Sequence, residues 1–138
     1  MPFSQYLADR ILTWVKGTTF PTALSTVFVN LHSGDPGTAG TANSVQLAVT
    51  GSANRTAVTS STFSSVGAAS GGGFQVTNGN SVQITTNASG AATVTHFGIW
   101  DAATGGNFLA SGALTSSVDV QSGDTVQFNI GALAIRVI

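Results

Sequence analysis

Charge is what this chain has least of: only 7% of its 138 residues are Asp, Glu, Lys or Arg, against roughly 25% in a typical soluble domain. Glutamate is absent, and the positive side chains are Arg10, Lys16, Arg55 and Arg136. So few cations make no basic stripe, which excludes direct nucleic-acid binding and attraction to an anionic membrane as readings. Cysteine is missing as well, so neither a disulfide framework nor a thiolate metal site can be built. No apolar run approaches the ~20 residues of a membrane helix, and the N-terminus has no signal-peptide core. Synthesis and assembly in a cytoplasm are expected.

The groups that carry chemistry are equally thin. Asp9 lies in a helical stretch, and Asp35, Asp119 and Asp124 sit in or beside turn sequences, where Asp bonds to nearby backbone. Asp101 is the one carboxylate that tempts, but no second acid accompanies it, as glycoside hydrolysis would require; it reads as a turn initiator before Ala102-Ala103-Thr104-Gly105-Gly106. His32 and His96 belong to no ligand-spaced cluster. Serines abound without a G-x-S-x-G elbow, and Gly71-Gly72-Gly73 lacks the Lys and following helix of a phosphate loop. Asn87-Ala88-Ser89 fits the glycosylation triplet, which such Ser/Thr-rich chains produce by chance. The chain is read as a non-enzyme without cofactors or metals.

What is present is an ordinary apolar fraction, 42%, enough for a folded core. Ser4 to Lys16 place Leu7, Ile11, Trp14 and Val15 at helical spacing, with Ser4 as N-cap and Gly17 as the stop. The stripe holding Tyr6, Leu7 and Trp14 is expected against the core, with a neighbouring subunit as the other place for it. After Pro21 the period becomes two. Val27, Val29 and Leu31 alternate with Phe28 and Asn30 in a strand suited to cover on both faces, and Ser33-Gly34-Asp35-Pro36-Gly37 ends it.

Further strands are expected at Val45 to Val49, Arg55 to Thr59, Phe74 to Val76, Val82 to Ile84, Thr93 to Trp100, Phe108 to Leu114, Val118 to Val120, Val126 to Ile130 and Leu133 to Ile138. Gly71-Gly72-Gly73 and Asn78-Gly79 are turn or hairpin signals. The expected fold is mainly β, a β-sandwich or jelly-roll-like domain with one short N-terminal α-helix. One domain spans 1–138, with a helix at about 4–16 and a β domain at about 22–138.

A surface this poor in charge does little to keep copies apart, which points to assembly. Candidate subunit contacts are Tyr6 and Trp14 on the helix, Arg55, the only charge between Asp35 and Asp101, and the chain end Arg136-Val137-Ile138. Arg55 has a plainer reading, reaching solvent or pairing with a carboxylate. The apolar end must pair in a sheet or dock on a partner.

One long segment resembles a known family: His96-Phe97-Gly98-Ile99-Trp100-Asp101-Ala102-Ala103-Thr104-Gly105-Gly106-Asn107, with Gly112-Ala113-Leu114, Ser122-Gly123-Asp124-Thr125, Phe128 and Gly131-Ala132-Leu133-Ala134. Together with Tyr6-Leu7, Val27 to His32 leading into Gly34-Asp35-Pro36-Gly37, and Arg55-Thr56-Ala57-Val58, it resembles small virion structural proteins of tailed bacteriophages. These are often labelled tail-fibre proteins and are similar to capsid decoration, or cement, proteins. The chain departs from that pattern at Asn54, where an aromatic often precedes the Arg, and between Thr59 and Gly73.

The resemblance implies a virion component assembled in a bacterial host cytoplasm. Because a receptor-reaching fibre needs a shaft of repeats or coiled coil and this chain shows neither, the expected role is a decoration protein. It would bind the head surface as a homotrimer and reinforce contacts between major capsid protein subunits. The alternative is a small tail, neck or head-fibre component involved in host receptor binding.

Overall fold

The computed structural model describes residues 3–45, 55–85 and 91–137. Helix α1 (Gln5–Val15) starts where Ser4, in extended backbone, turns its Oγ to accept from the Leu7 N–H at 3.0 Å. That bond satisfies one of the donors a helix start leaves open. Gly17 closes the other end at φ 103°, a conformation that costs glycine little.

The buried Ser4 also donates its N–H to the Leu109 carbonyl at 2.9 Å, and Phe3 bridges Ala110, so the helix is pinned at its beginning to strand β7 (Phe108–Val120). The expectation that α1 turns its stripe into the core is not met. No residue of α1 is buried, and Leu12, Trp14 and Val15 are 69%, 58% and 72% exposed. The physical reason is the position of the anchor: it holds the first turn, and the last turn stands away from the sheet.

Among the described residues the rest of the chain forms β1 (Thr26–His32), β2 (Thr56–Thr59), β3 (Gly67–Ala68), β4 (Phe74–Thr77), β5 (Val82–Thr85), β6 (Ala92–Trp100), β7, β8 (Thr125–Phe128) and β9 (Ala134–Val137). They make three antiparallel sheets, ordered β2-β1-β6-β7, β3-β4-β9 and β5-β8. The fold is mainly β with one N-terminal helix, in a sandwich-like arrangement. Val29, Leu31, Val94, Phe97 and Ile99 of the large sheet share one core with Ile84, Val126, Phe128 and Leu133 from the other side. Each such side chain contributes roughly 1.5–3 kcal/mol on burial.

The other face of β1 is covered too, as the alternation predicts. Residues 33–45 fold back over it: Val45 N–H donates to Leu31 O at 3.0 Å, Asn30 Nδ2 to Ser44 Oγ at 3.0 Å, and Asp35 Oδ1 accepts from Gly37 N–H at 2.7 Å. Gly40 is buried there at φ 74°, and a Cβ on it would overlap the Phe108 ring. Glycine is required at this position twice over, by conformation and by space.

Two turn readings resolve differently. Gly71-Gly72-Gly73 does join a hairpin, β3 to β4, with all three glycines at positive φ. Asn78-Gly79 does not: β4 pairs with β9 and β5 with β8. Asn78 is instead fully buried, its Nδ2 donating to Asn80 O and Asn129 O at 2.9 Å each and its Oδ1 accepting from Leu133 N–H at 2.9 Å.

The two strands expected at Phe108 to Leu114 and Val118 to Val120 are one strand, β7. The irregularity appears in pairing, where Val94 faces Val118 but His96 already faces Ala113. The C-terminal strand pairs in a sheet, with Val137 opposite Phe74. The strand expected at 45–49 lies outside the described residues beyond Val45, as do Asn87-Ala88-Ser89 and Ile138.

Candidate functional site

A protein that acts by contact shows its site as exposed apolar surface. Among the described residues Leu12, Trp14, Val15, Phe20 and Leu24 are large, apolar and exposed, and all fall within or just after α1. Val66, Phe74 and Ile130 are exposed elsewhere. Between α1 and the segment that follows it runs a groove of about 460 Å³, lined chiefly by Tyr6, Leu7, Phe20, Leu24 and Leu109, with Asp101 in its wall.

The sequence puts these residues together for a local reason. Gly17 stops the helix and Pro21 sets an extended path, so residues 18–25 run beside α1 toward β1. Trp14 then meets Phe20 edge to face with ring centroids 6.2 Å apart, and the Arg10 guanidinium lies 5.4 Å from the centre of the Tyr6 ring. Tyr6 and Trp14, both singled out from the sequence, therefore belong to one surface.

Arg55 is held within its own chain. Its guanidinium stacks 3.6 Å from the centre of the Trp100 ring, and its Nη1 donates to Ala102 O and Gly105 O at 2.7 Å each. Burial lowers its pKa, opposed by the charge of Asp101. Asp101 acts as the turn initiator its sequence suggests: Oδ1 accepts from Asn107 N–H at 2.6 Å and Oδ2 from Asn107 Nδ2 at 2.8 Å. Gly106, at φ 69°, leaves no room for a Cβ beside Asp101 and Ala102. The segment that resembles phage proteins is thus a clasp, and its carboxylate is engaged in holding a loop.

Arg136 also bonds within its chain, donating from Nε and Nη2 to Gly72 O at 3.1 and 2.7 Å, which ties β9 to the tip of the β3–β4 hairpin. The two histidines that seem remote in sequence stand opposite each other on β1 and β6. His32 is fully buried, and its Nδ1 donates to Ala42 O at 2.9 Å. Burial holds its pKa below the ordinary 6.5; the Ala42 carbonyl opposes this, His96 adds to it, and Asp35 opposes it. No group of three or more His, Cys, Asp or Glu among the described residues could hold a metal ion.

Sequence reasoning missed Asn78 and Asn107 as organising residues, and the only local signal for either was Asn in a glycine-rich turn. It also missed the groove, since nothing in the spacing of Phe20 and Leu24 shows that they approach Tyr6 and Leu109.

Compared with known protein families, residues 2–136 match the one described as Podophage GP4 fiber I protein gp80. No curated protein matches the chain.

Proposed function

Since the chain belongs to the Podophage GP4 fiber I protein gp80 family, and so is a structural fibre component of a phage virion, we propose that it is a compact subunit of a short head, neck or tail fibre that takes part in recognising the host surface. The observation that carries this reading is the family match along nearly the whole chain. The exposed apolar surface around α1 supports it, because a fibre subunit must be held by neighbours through contacts of this kind.

The lack of a shaft, which favours decoration of the head when the sequence is taken alone, weighs less than it first seems, because a shaft can be built by stacking compact subunits. Capsid reinforcement through the major capsid protein is the second reading, and the charge-poor surface without repeats is what favours it. Location decides between them. Antibody-gold labelling of intact virions against this chain is expected to mark discrete fibres, and purified protein is expected to compete with virions for adsorption to host cells. Uniform labelling of the head, with adsorption unchanged and head stability lowered when the protein is removed, would establish the decoration role instead.

A further inference from the structure

Helix α1 has apolar side chains on two sides, and they do different things. At about 100° per residue, Ala8, Leu12 and Val15 fall within roughly 60° of one another and form a ridge, with Leu12 and Val15 largely exposed. Tyr6 and Leu7 lie roughly 160° around the helix from that ridge, where they line the groove closed by Phe20, Leu24 and Leu109. Leu12, Trp14, Val15, Phe20 and Leu24 together leave roughly 500 Å² of apolar surface in water, the size at which a patch on a single chain marks an interaction site. An 11-residue helix with no buried residue is also too short to be stable on its own propensity, so a neighbour that covers it would add to its stability.

We propose that the occupant of the groove is a second copy of this chain, which inserts the Ala8-Leu12-Val15 ridge of its own α1. Three features point to a copy. The ridge and the groove are complementary in character, one projecting and one concave, and both apolar. Their charges match across the contact: Lys16 closes the ridge and Asp101 stands in the groove wall, in a chain that carries very few charges from which such a match could arise. Finally, a two-fold pairing of ridge on ridge would leave the groove open, whereas ridge into groove covers both faces of every inner copy.

Such a contact is heterologous, so it closes into a ring if the rotation between copies allows and otherwise continues as a stack. Faces on nearly opposite sides of one helix favour the stack, and with it a shaft made from compact subunits in place of the trimer expected from sequence. The inference does not depend on where in the virion the fibre sits.

The chain contains no cysteine, so introduced pairs report without background. Leu12→Cys and Leu24→Cys chains, purified separately, mixed and oxidised, are expected to join 12 to 24, with 12-to-12 and 24-to-24 products minor. The double variant is expected to give a ladder of multimers; a ladder that stops at three copies and one that continues both support the contact. Leu12→Glu is expected to reduce the mass of the purified protein to that of one chain while its circular dichroism stays unchanged, since Leu12 is exposed. Predominant 12-to-12 joining, or mixtures that stay uncross-linked, would overturn the proposal and leave the fibre assignment untouched, because antibody labelling tests that separately.

Discussion

The guanidinium of Arg55 lies 3.6 Å from the centre of the Trp100 ring, while one of its nitrogens bonds to two carbonyls of the loop after β6. The pair joins the start of β2 to the Ala102–Gly105 bend, regions about as far apart in sequence as any two that touch on this sheet. It fixes the loop whose Asp101 forms part of the groove wall.

Arg55→Ala is therefore expected to lower stability by about 1–3 kcal/mol, the combined scale of a partly desolvated cation–ring contact and charge-assisted hydrogen bonds. Arg55→Lys keeps the charge and loses the planar fork, so its loss is expected to be smaller but measurable. Urea denaturation of the two variants against the parent checks both. Equal stability for all three would show that the clasp contributes nothing.

His32 gives the fold a pH dependence whose sign follows from its burial. Its folded pKa lies below 6.5, so above pH 6.5 the residue is neutral in both states and its burial costs nothing extra. As pH falls below 6.5 the unfolded chain takes up a proton that the folded chain resists, and stability declines until the folded pKa is passed. The loss is about 1.4 kcal/mol for each pH unit by which burial lowers the pKa. The urea midpoint is expected to fall between pH 7.5 and pH 5, and His32→Gln to flatten that dependence whatever it does to absolute stability.

Asn78 is the third test. Replacing it with Ala removes three side-chain hydrogen bonds and leaves the Leu133 N–H without its Oδ1 acceptor in a buried place. An expected loss of about 2–4 kcal/mol follows from the bonds removed and the groups left unsatisfied. Asn78→Asp is expected to be at least as damaging, because a carboxylate would face the Asn80 and Asn129 carbonyls with no proton to donate. Thermal denaturation of both variants measures the effect, and a change within ±0.5 kcal/mol, the scale of ordinary surface substitutions, would contradict the role assigned to the amide.

Much of the secondary structure is legible in the chain without coordinates. Ser4 and Gly17 bound α1 because capping and left-handed termination depend on the residues next to them. The alternation of Val27, Val29 and Leu31 marks β1 because neighbours in a strand point to opposite faces. Scarce charge and the missing acid pair already separated this chain from enzymes and nucleic-acid binders, and the Gly- and Asp-rich segment after Trp100 carried the likeness to phage virion proteins.

Pairing was a different matter. That β4 joins β9 rather than β5, that His32 faces His96, and that Arg55 stacks on Trp100 are set by which faces bury one another across long separations, and no local window contains both partners. The same holds for α1. Its two apolar sides are written in the sequence, but only the anchoring of Ser4 to Leu109 determines which side lines a groove and which is left facing water, because a helix held at one end buries the face its anchor turns inward.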